Sequence, residues 1–596
     1  MKQILDCIRQ EMEQAFAACG YEEKYGMASL SNRPDLCQYQ CNGAMAAAKA
    51  YKKAPLAIAE EIAAYVKQSE TGNQFFEKVE AVPPGFLNLN LKGEYLADFL
   101  EQSQRTEKFG MEQPEKPEMI IVDYGGANVA KPLHVGHLRP AIIGESIKRI
   151  SRYMGHQVIG DVHLGDWGLQ MGQILTELHH RHPDWVYFEE GYTGEYPQEA
   201  PFTIADLEEI YPTASKKSKE DEAYRAEALE ATFQFQSGRR GYRALCKHIT
   251  AVSIPDLKKN YANLNVEFDL WKGESDVQEH IPGMVEKMKQ DGFAYISEGA
   301  LVVDVTEETD KKELPPCLIL KSDGAALYET TDLATLLERE QLYHPDRVIY
   351  VVDKRQELHF TKVFRCAKKT GIVRPETELT FLGNGTMNGK DGKPFKTREG
   401  GVMRLEYLIA DVEEEVYRKM DDREMSKEEA RDASRQVGLA ALKYGDLSNQ
   451  ASKDYVFDLE RFISFEGNTG PYIQYTAVRI RSILKKYAEL EKTEKESQTE
   501  SQKLLPPSGE GETDLMLVLA RFGSTMQTVF EEKAPHKLCQ YLYEISNAFN
   551  HFYHENKILT EENTARRASW IRLITLTVDM LVTGLDLLGI ETPERM

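Results

Sequence analysis

Apolar residues along this chain recur at spacings that change three times, and each change marks a different kind of element. Near the N-terminus, PLAIAEEIAAYV (55–66) carries them at helical intervals, and FFEKVEAVPPGFLNLNL (75–91) alternates as a half-buried strand does. Residues 1–110 therefore read as a small α+β domain. FGMEQPEKPE (109–118) is polar, holds two prolines and reads as a linker. From Met119 the order becomes strand, loop, helix, strand. MIIVDY (119–124) is a short apolar run, a glycine-bearing loop follows, a helix runs through HLRPAIIGESIKRISRYMG (137–155), and QVIGDVH (157–163) is the next strand. Pro140 falls early in that helix, where a missing N–H costs least. This order predicts a parallel sheet with a right-handed crossover.

Further strands are expected at CLILKS (317–322), DRVIYVVD (346–353) and LTFLGNG (379–385). Residues 117–405 then make one α/β, doubly wound (Rossmann-type) domain, interrupted by a polar, glutamate-rich insertion near 184–241. From 406 to 596 the spacing is helical, as in VGLAALKYGDL (437–447) and KLCQYLYEISNAFNHFYHEN (537–556), which predicts an all-helical bundle. A stretch within it, 489–514, is poor in aromatics and rich in Lys, Glu, Ser and Gly, and is expected to be a flexible excursion.

Composition changes this picture little. Hydrophobic residues at 41% and charged residues at 28% suit a folded globular protein. No run of 18 or more apolar residues is evident, so no membrane span is expected. MKQILDCIRQEMEQAF reads as an amphipathic helix and not as a signal peptide, which points to the cytoplasm. The eight cysteines are scattered without a CxxC pair, and nothing completes a zinc site around Cys37 and Cys41. Reduced thiols and no structural metal are expected. The net charge of −23 argues against a general nucleic-acid binder, although a basic face can coexist with an acidic remainder.

The candidate chemistry sits in NVAKPLHVGHLRP (128–140). A loop between a first strand and its helix is where doubly wound folds bind nucleotides, and a helix N-terminus offers free N–H groups to phosphates. His134, His137 and Lys131 at this point add donors and positive charge around a triphosphate, and Gly136 removes a side chain where a base or ribose approaches. Taken alone, the two histidines read more readily as ordinary helix-cap or surface residues.

They are not alone. HVGH resembles the HIGH motif of class I aminoacyl-tRNA synthetases, and VDYGGANVAKPLHVGHLRPAIIGESI resembles arginyl-tRNA synthetases in particular. HLGDWGLQMG (163–172), FDLWKGESD (268–276), GKDGKPFKTREGG (389–401), FEGNTGPYIQYTAVRIRSI (465–483) and the terminal PERM are similar to the same family, in the same order along the chain. The resemblance implies ligation of L-arginine to tRNA(Arg) with ATP as substrate and Mg2+ accompanying it. It implies that His134 and His137 contact the phosphates, with Gly136 beside the adenosine and Gly165 or Gly168 near the nucleotide or the tRNA end. Trp167 reads as core packing.

The family's usual KMSKS lysine is missing. Lys396 and Lys393 in the glycine-rich GKPFKTREGG are its candidates, and Lys131, upstream of the histidines, is a third. A guanidinium is always charged and forked, so it needs carboxylates and neutral acceptors. The resemblance assigns that role to Asp123, Asn128, Tyr328, Asp332 and Gln356, although Asp123 and Asp332 also fit a turn or a helix cap. The family commonly has Ser or Pro where this chain has GGA (125–127), which implies a looser loop before Asn128.

In the helical region, Tyr472, Tyr475, Arg479 and Arg481, with Lys485 and Lys486 beyond, offer rings and cations for an anticodon loop. Residues 1–110 resemble the domain with which arginyl enzymes touch the tRNA elbow, and a monomer is the family's default. Two other readings of the histidine pair are a small-molecule HxGH adenylyltransferase and a non-catalytic tRNA-binding paralogue. The long helical C-terminus opposes the first, and the intact site residues oppose the second.

Overall fold

The computed structural model describes residues 1–393, 395, 403–420, 425–494 and 503–596. They fall into two compact units, one of residues 115–463 with 587–590, the other of 1–114 with 464–586 and 591–596.

The first of these is built on a four-stranded parallel sheet. Its strands are β1 (Met119–Asp123), β2 (Gln157–Asp161), β3 (Arg347–Asp353) and β4 (Glu378–Asn384), in the order β4-β3-β1-β2. The doubly wound expectation holds here, and the apolar runs of β1 and β3 suit strands covered on both faces. Helix α1 (Leu138–Tyr153) follows β1 and is buried along nearly all its length. Gly144 lets it settle, because a Cβ there would lie 2.2 Å from the ring of Tyr124. One residue on, Glu145 accepts from the Tyr124 hydroxyl at 2.8 Å and pairs with Lys148 and Arg149.

The polar insertion is helical from residue 204. Helix α2 (Ile204–Glu220) starts on a capping box between Thr203 and Asp206, and α3 (Arg240–Ala262) follows after a helix at Glu222–Gln236. One expected strand lies elsewhere. CLILKS does not join the parallel sheet; Cys317–Leu320 pairs antiparallel with Ala300–Val303, which pairs in turn with Ala294–Ser297. The cause is a two-residue hairpin turn, Glu298–Gly299, with both φ values positive (49° and 83°), a turn that matches the twist of antiparallel strands. The helices Leu405–Lys419 and Lys427–Leu447, expected with the C-terminal bundle, group with the sheet. Fully buried Lys443 donates to the carbonyls of Leu264 at 2.7 Å and Gly589 at 2.6 Å, so residues 587–590 close this unit.

Helix α4 (Tyr328–Tyr343) lays Arg339 across three neighbouring strands. The registers place Asp161 opposite Asp123 and Asp123 opposite Tyr350, so three acceptors stand in one row. Arg339, 2% exposed, donates to Asp123 and Asp161 at 2.6 Å each and to the Tyr350 hydroxyl at 3.0 Å.

The other unit joins a four-stranded antiparallel sheet from the first hundred residues to C-terminal helices, among them α5 (Gly470–Glu494) and α6 (Pro535–Glu555). FFEKVEAVPPGFLNLNL is two strands of that sheet, Phe76–Val82 and Phe86–Leu91, turning at Pro83–Gly85. Part of the expected flexible excursion is packed. The Leu504 N–H donates to buried Glu101 at 3.0 Å, Arg572 pairs with the same carboxylate at 2.8 Å, and Glu510–Leu519 is a helix. Two apolar leucines and two prolines outweigh the polar composition there; residues 495–502 lie outside the described ones. Thr564–Leu587 is long and apolar enough to cross a membrane, with mean hydropathy 1.3, a length of apolar chain that the sequence reading passed over. Within the unit 61% of that stretch is buried.

Arg339→Met should destabilise the protein by about 3–5 kcal/mol in urea unfolding, because two buried carboxylates lose their shared cation. Arg339→Lys should recover little, since one ammonium cannot span three acceptors with a planar fork.

Candidate active site

The site is built outward from that row of acceptors. Gly125 (φ +91°) and Gly126 (φ +63°) turn the chain after β1 through conformations that favour glycine. At Gly125 a Cβ would also lie 2.9 Å from Phe268. The loop is not loose. Gly165 donates to the Ala127 carbonyl at 3.0 Å, Val129 donates back to Gly165 at 3.2 Å, and the Ala130 N–H reaches Ser253 Oγ of α3 at 2.9 Å. Asn128 is therefore fixed against HLGDWG, so closely that a Cβ on Gly165 would fall 2.2 Å from its Oδ1.

HLGDWG is the hub of the site. On its far side Glu274 donates its N–H to Leu164 at 3.0 Å, and Asp166 accepts from Ser275 Oγ at 2.6 Å and Ser275 N at 2.9 Å. A Cβ on Gly168 would lie 3.3 Å from the Tyr328 hydroxyl. Trp167 packs on Phe235 with centroids 4.7 Å apart, and Arg243 stacks over its ring. Tyr328 itself is 66% exposed at the start of α4. Asp332, one turn along, meets His359 Nε2 at 2.5 Å, and Gln356 stands exposed just beyond the end of β3.

Sequence reasoning missed Glu274, although it stands inside a segment already matched to the family. Burial pushes its carboxyl up to about 7, with His163 opposing and Asp166 and Asp332 reinforcing the shift. It also raises the hydroxyl of Tyr328, after burial. Asp123 and Asp161 feel each other's charge, as Glu274 feels those of Asp166 and Asp332, and the buried guanidinium of Arg339 pairs with the first two. Asp123 is engaged by Arg339 and Asp332 meets His359, so Glu274 is the carboxylate better placed to take a second cation.

The histidine pair stands on the same loop, eleven and fourteen residues past Asp123. Gly136 N–H donates to His134 Nδ1 at 3.0 Å, and His134 N–H donates to His137 Nδ1 at 3.1 Å. A backbone N–H can only donate, so both Nδ1 atoms are acceptors and the ring proton of each neutral imidazole is on Nε2. Burial pushes His137 down to about 3, with His134 and Lys131 adding to it, and burial also lowers His134. The expectation that the histidines add positive charge is therefore corrected: they are neutral Nε2–H donors, because the rings are packed 4.0 Å apart and sheltered from water. Gly136 is exposed, and a Cβ on it would crowd only the ring of His134, at 2.8 Å. The charge at this end comes from Lys131. Lys393 lies exposed in a turn whose carbonyl accepts from Gly389 N–H at 2.8 Å; Lys396, with Gly400 and Gly401, lies outside the described residues.

Comparison with known proteins gives one answer along the whole chain. Residues 99–459 match the catalytic domain of class I tRNA synthetases (R), 2–91 the arginyl-tRNA synthetase N-terminal domain, and 473–596 the DALR anticodon-binding domain. This chain belongs to the arginyl-tRNA synthetase family. Arginine–tRNA ligases of Agathobacter rectalis and Alkaliphilus oremlandii are 58% and 56% identical, each aligned over 100% of both chains. The crystal structure of the arginyl-tRNA synthetase of Plasmodium falciparum superposes with a TM-score of 0.81 at 25% identity, again over both whole chains. That of Thermus thermophilus, at 0.78 and 23%, shares the fold.

In the unit that carries the synthetase's C-terminal domain, the four expected contact residues divide into two groups. Tyr475 is exposed, and Arg479 lies 4.8 Å over its ring while donating to Asn550 at 2.9 Å. Tyr472 bonds Asn547 and Asn550 of α6. Arg481 instead turns to the carbonyl of Pro593 at 3.3 Å, away from that cluster. Asn547, Asn550 and Tyr553 of α6 complete the surface, and no periodicity in the sequence singled them out. Among the described residues no group of His, Cys, Asp or Glu is assembled to hold a metal, and Cys37 and Cys41 are free thiols.

Nitrogen-15 spectra of the two imidazoles should show the Nε2–H tautomer in both. His137 should stay neutral as the pH is lowered to 5, where an ordinary histidine is already protonated; a titration near 6.5 would contradict the packing described.

Proposed function

We propose that the enzyme ligates L-arginine to tRNA(Arg) at this site through an arginyl-adenylate, releasing pyrophosphate and then AMP. The observation that carries the reading is the double pairing of HLGDWG. One edge of it holds the loop of neutral histidine donors, and the other holds the segment bearing Glu274. Carboxylates suited to a guanidinium are thereby joined to neutral donors suited to phosphates.

In the first step the arginine carboxylate attacks the α-phosphorus of ATP and pyrophosphate leaves. This displacement needs positioning and charge neutralisation rather than a protein nucleophile. Glu274, Asp332, Tyr328, Asn128 and Gln356 orient the amino acid, with Asp123 held in the wall behind them by Arg339. The Nε2–H groups of His134 and His137 donate to phosphate oxygens, and Lys131, with Lys393 and Lys396, supplies the positive charge. Neutral donors aimed at the developing charge are effective in a site that excludes water, since they require little reorganisation. Mg2+ travels with the nucleotide. In the second step a terminal ribose hydroxyl of the tRNA attacks the adenylate carbonyl and AMP departs. The Tyr472–Tyr475–Arg479 face with Asn547, Asn550 and Tyr553 receives the anticodon loop, its rings for stacking and its cation for phosphate.

ATP–pyrophosphate exchange tests the reading. Exchange should appear with arginine and cognate tRNA present together, and exchange supported by another amino acid would sink the assignment. His134→Ala should lower the exchange rate by about 10²–10³-fold with tRNA affinity nearly unchanged.

Glu274 gives a second test. A guanidinium binds the ionised carboxyl better than the neutral one, so the arginine KM should fall as pH rises from about 6 to 8, across a group that titrates near 7. Glu274→Gln should raise the arginine KM by about 10- to 100-fold and flatten that dependence, the loss expected for one charged hydrogen bond. An unchanged pH slope in this variant would remove Glu274 from the arginine pocket.

A further inference from the structure

The insertion holds one feature that the reaction as described does not use. The ammonium of Lys131 lies 4.5 Å from the centroid of the Tyr211 ring, on helix α2 of the insertion. One turn earlier on the same helix, Glu208 pairs with Arg404 at 3.1 Å. Arg404 forms an isolated antiparallel bridge with His134, supported by bonds from Val135 N–H to Met403 at 3.0 Å and from Leu405 N–H to Leu133 at 2.9 Å. Helix α2 therefore grips the histidine loop twice, by a ring on the lysine and by a carboxylate on the residue bridged to His134. The loop's other support, Ser253 of α3, meets Ala130, the residue before Lys131.

We propose that Tyr211 is a positioning residue for adenylate formation: its ring holds Lys131 beside the histidine pair, oriented and still fully charged, and carrying this ring is one task of the insertion. The inference rests on the reading of Lys131 as a phosphate ligand given above.

The choice of partner supports it. A free lysine side chain disperses over many rotamers, and ordering it costs free energy. A carboxylate would order it too, but would cancel its charge and have to be displaced when phosphate arrives. An aromatic face attracts the ammonium through its quadrupole and leaves the charge available. Two carboxylates beside the histidine loop are already engaged: Glu208 and Glu406 both pair with Arg404, at 3.1 and 3.4 Å. Lys131 is near enough to the imidazoles for its charge to lower the pKa of both.

The test is a mutant cycle in ATP–pyrophosphate exchange, with saturating arginine and tRNA. Tyr211→Leu, which removes the ring and keeps a side chain of similar bulk, should raise the ATP KM about 3- to 10-fold, the range of one partly desolvated cation–π contact. Its arginine KM should not change. Tyr211→Phe should behave as the parent does. Tyr211→Leu combined with Lys131→Ala should be no worse than Lys131→Ala alone. Equal damage from Phe and Leu, or additive losses in the double variant, would overturn the proposal and would assign Tyr211 a merely structural part. A silent Tyr211→Leu with a defective Lys131→Ala would overturn this inference alone. A silent Lys131→Ala would remove the phosphate role of Lys131 and this inference with it.

Discussion

Everything in the catalytic unit is arranged around a positive charge buried among backbone ends. Arg339 meets two carboxylates and a phenol hydroxyl from three neighbouring strands. A guanidinium satisfies such a row because its donors are coplanar and fixed in direction. Two adjacent buried aspartates would otherwise repel, and β1 and β2 would have to part or one carboxyl take up a proton. With the row closed, the strand ends are rigid. The loops that leave them carry Asn128, HLGDWG and Gln356, so these residues start from a fixed base.

The site separates two kinds of electrostatics. On the side of HLGDWG that faces Glu274 lie Asp166 and Glu274, carboxylates whose ionisation is delayed by burial. On the side of the histidine loop lie imidazoles kept neutral by burial, with Lys131 against the Tyr211 ring. A histidine cation and a carboxylate a few ångströms apart would have neutralised each other. Keeping the rings neutral removes that attraction.

What could be read from the sequence follows from how local each signal is. His134, His137, Asn128 and Asp123 occupy one strand–loop–helix passage, so their spacing and place in the fold were legible together. Arg339 reaches Asp123 across 216 residues and Asp161 across 178, and nothing in α4's own pattern marks that arginine as the centre of a clamp. Glu274 and Tyr211 are silent for the same reason: each acts on a group far away in the chain. Cys317–Leu320 was misplaced because a short apolar run looks the same in a parallel sheet and in an antiparallel one, and only the Glu298–Gly299 turn separates them. The ordering of 503–514 was hidden because its partner, Glu101, lies four hundred residues earlier.

The bond from Lys443 to Gly589 sets an order of events in synthesis. A ribosome reaches Gly589 only after every strand, the histidine loop and the whole of α4 have emerged. A nascent chain that stops short therefore buries Lys443 with one of its carbonyl acceptors missing, deep in the unit that does the chemistry. Loss of that acceptor should lower the stability of the unit built on the parallel sheet, because a buried ammonium is then left with one named partner in place of two.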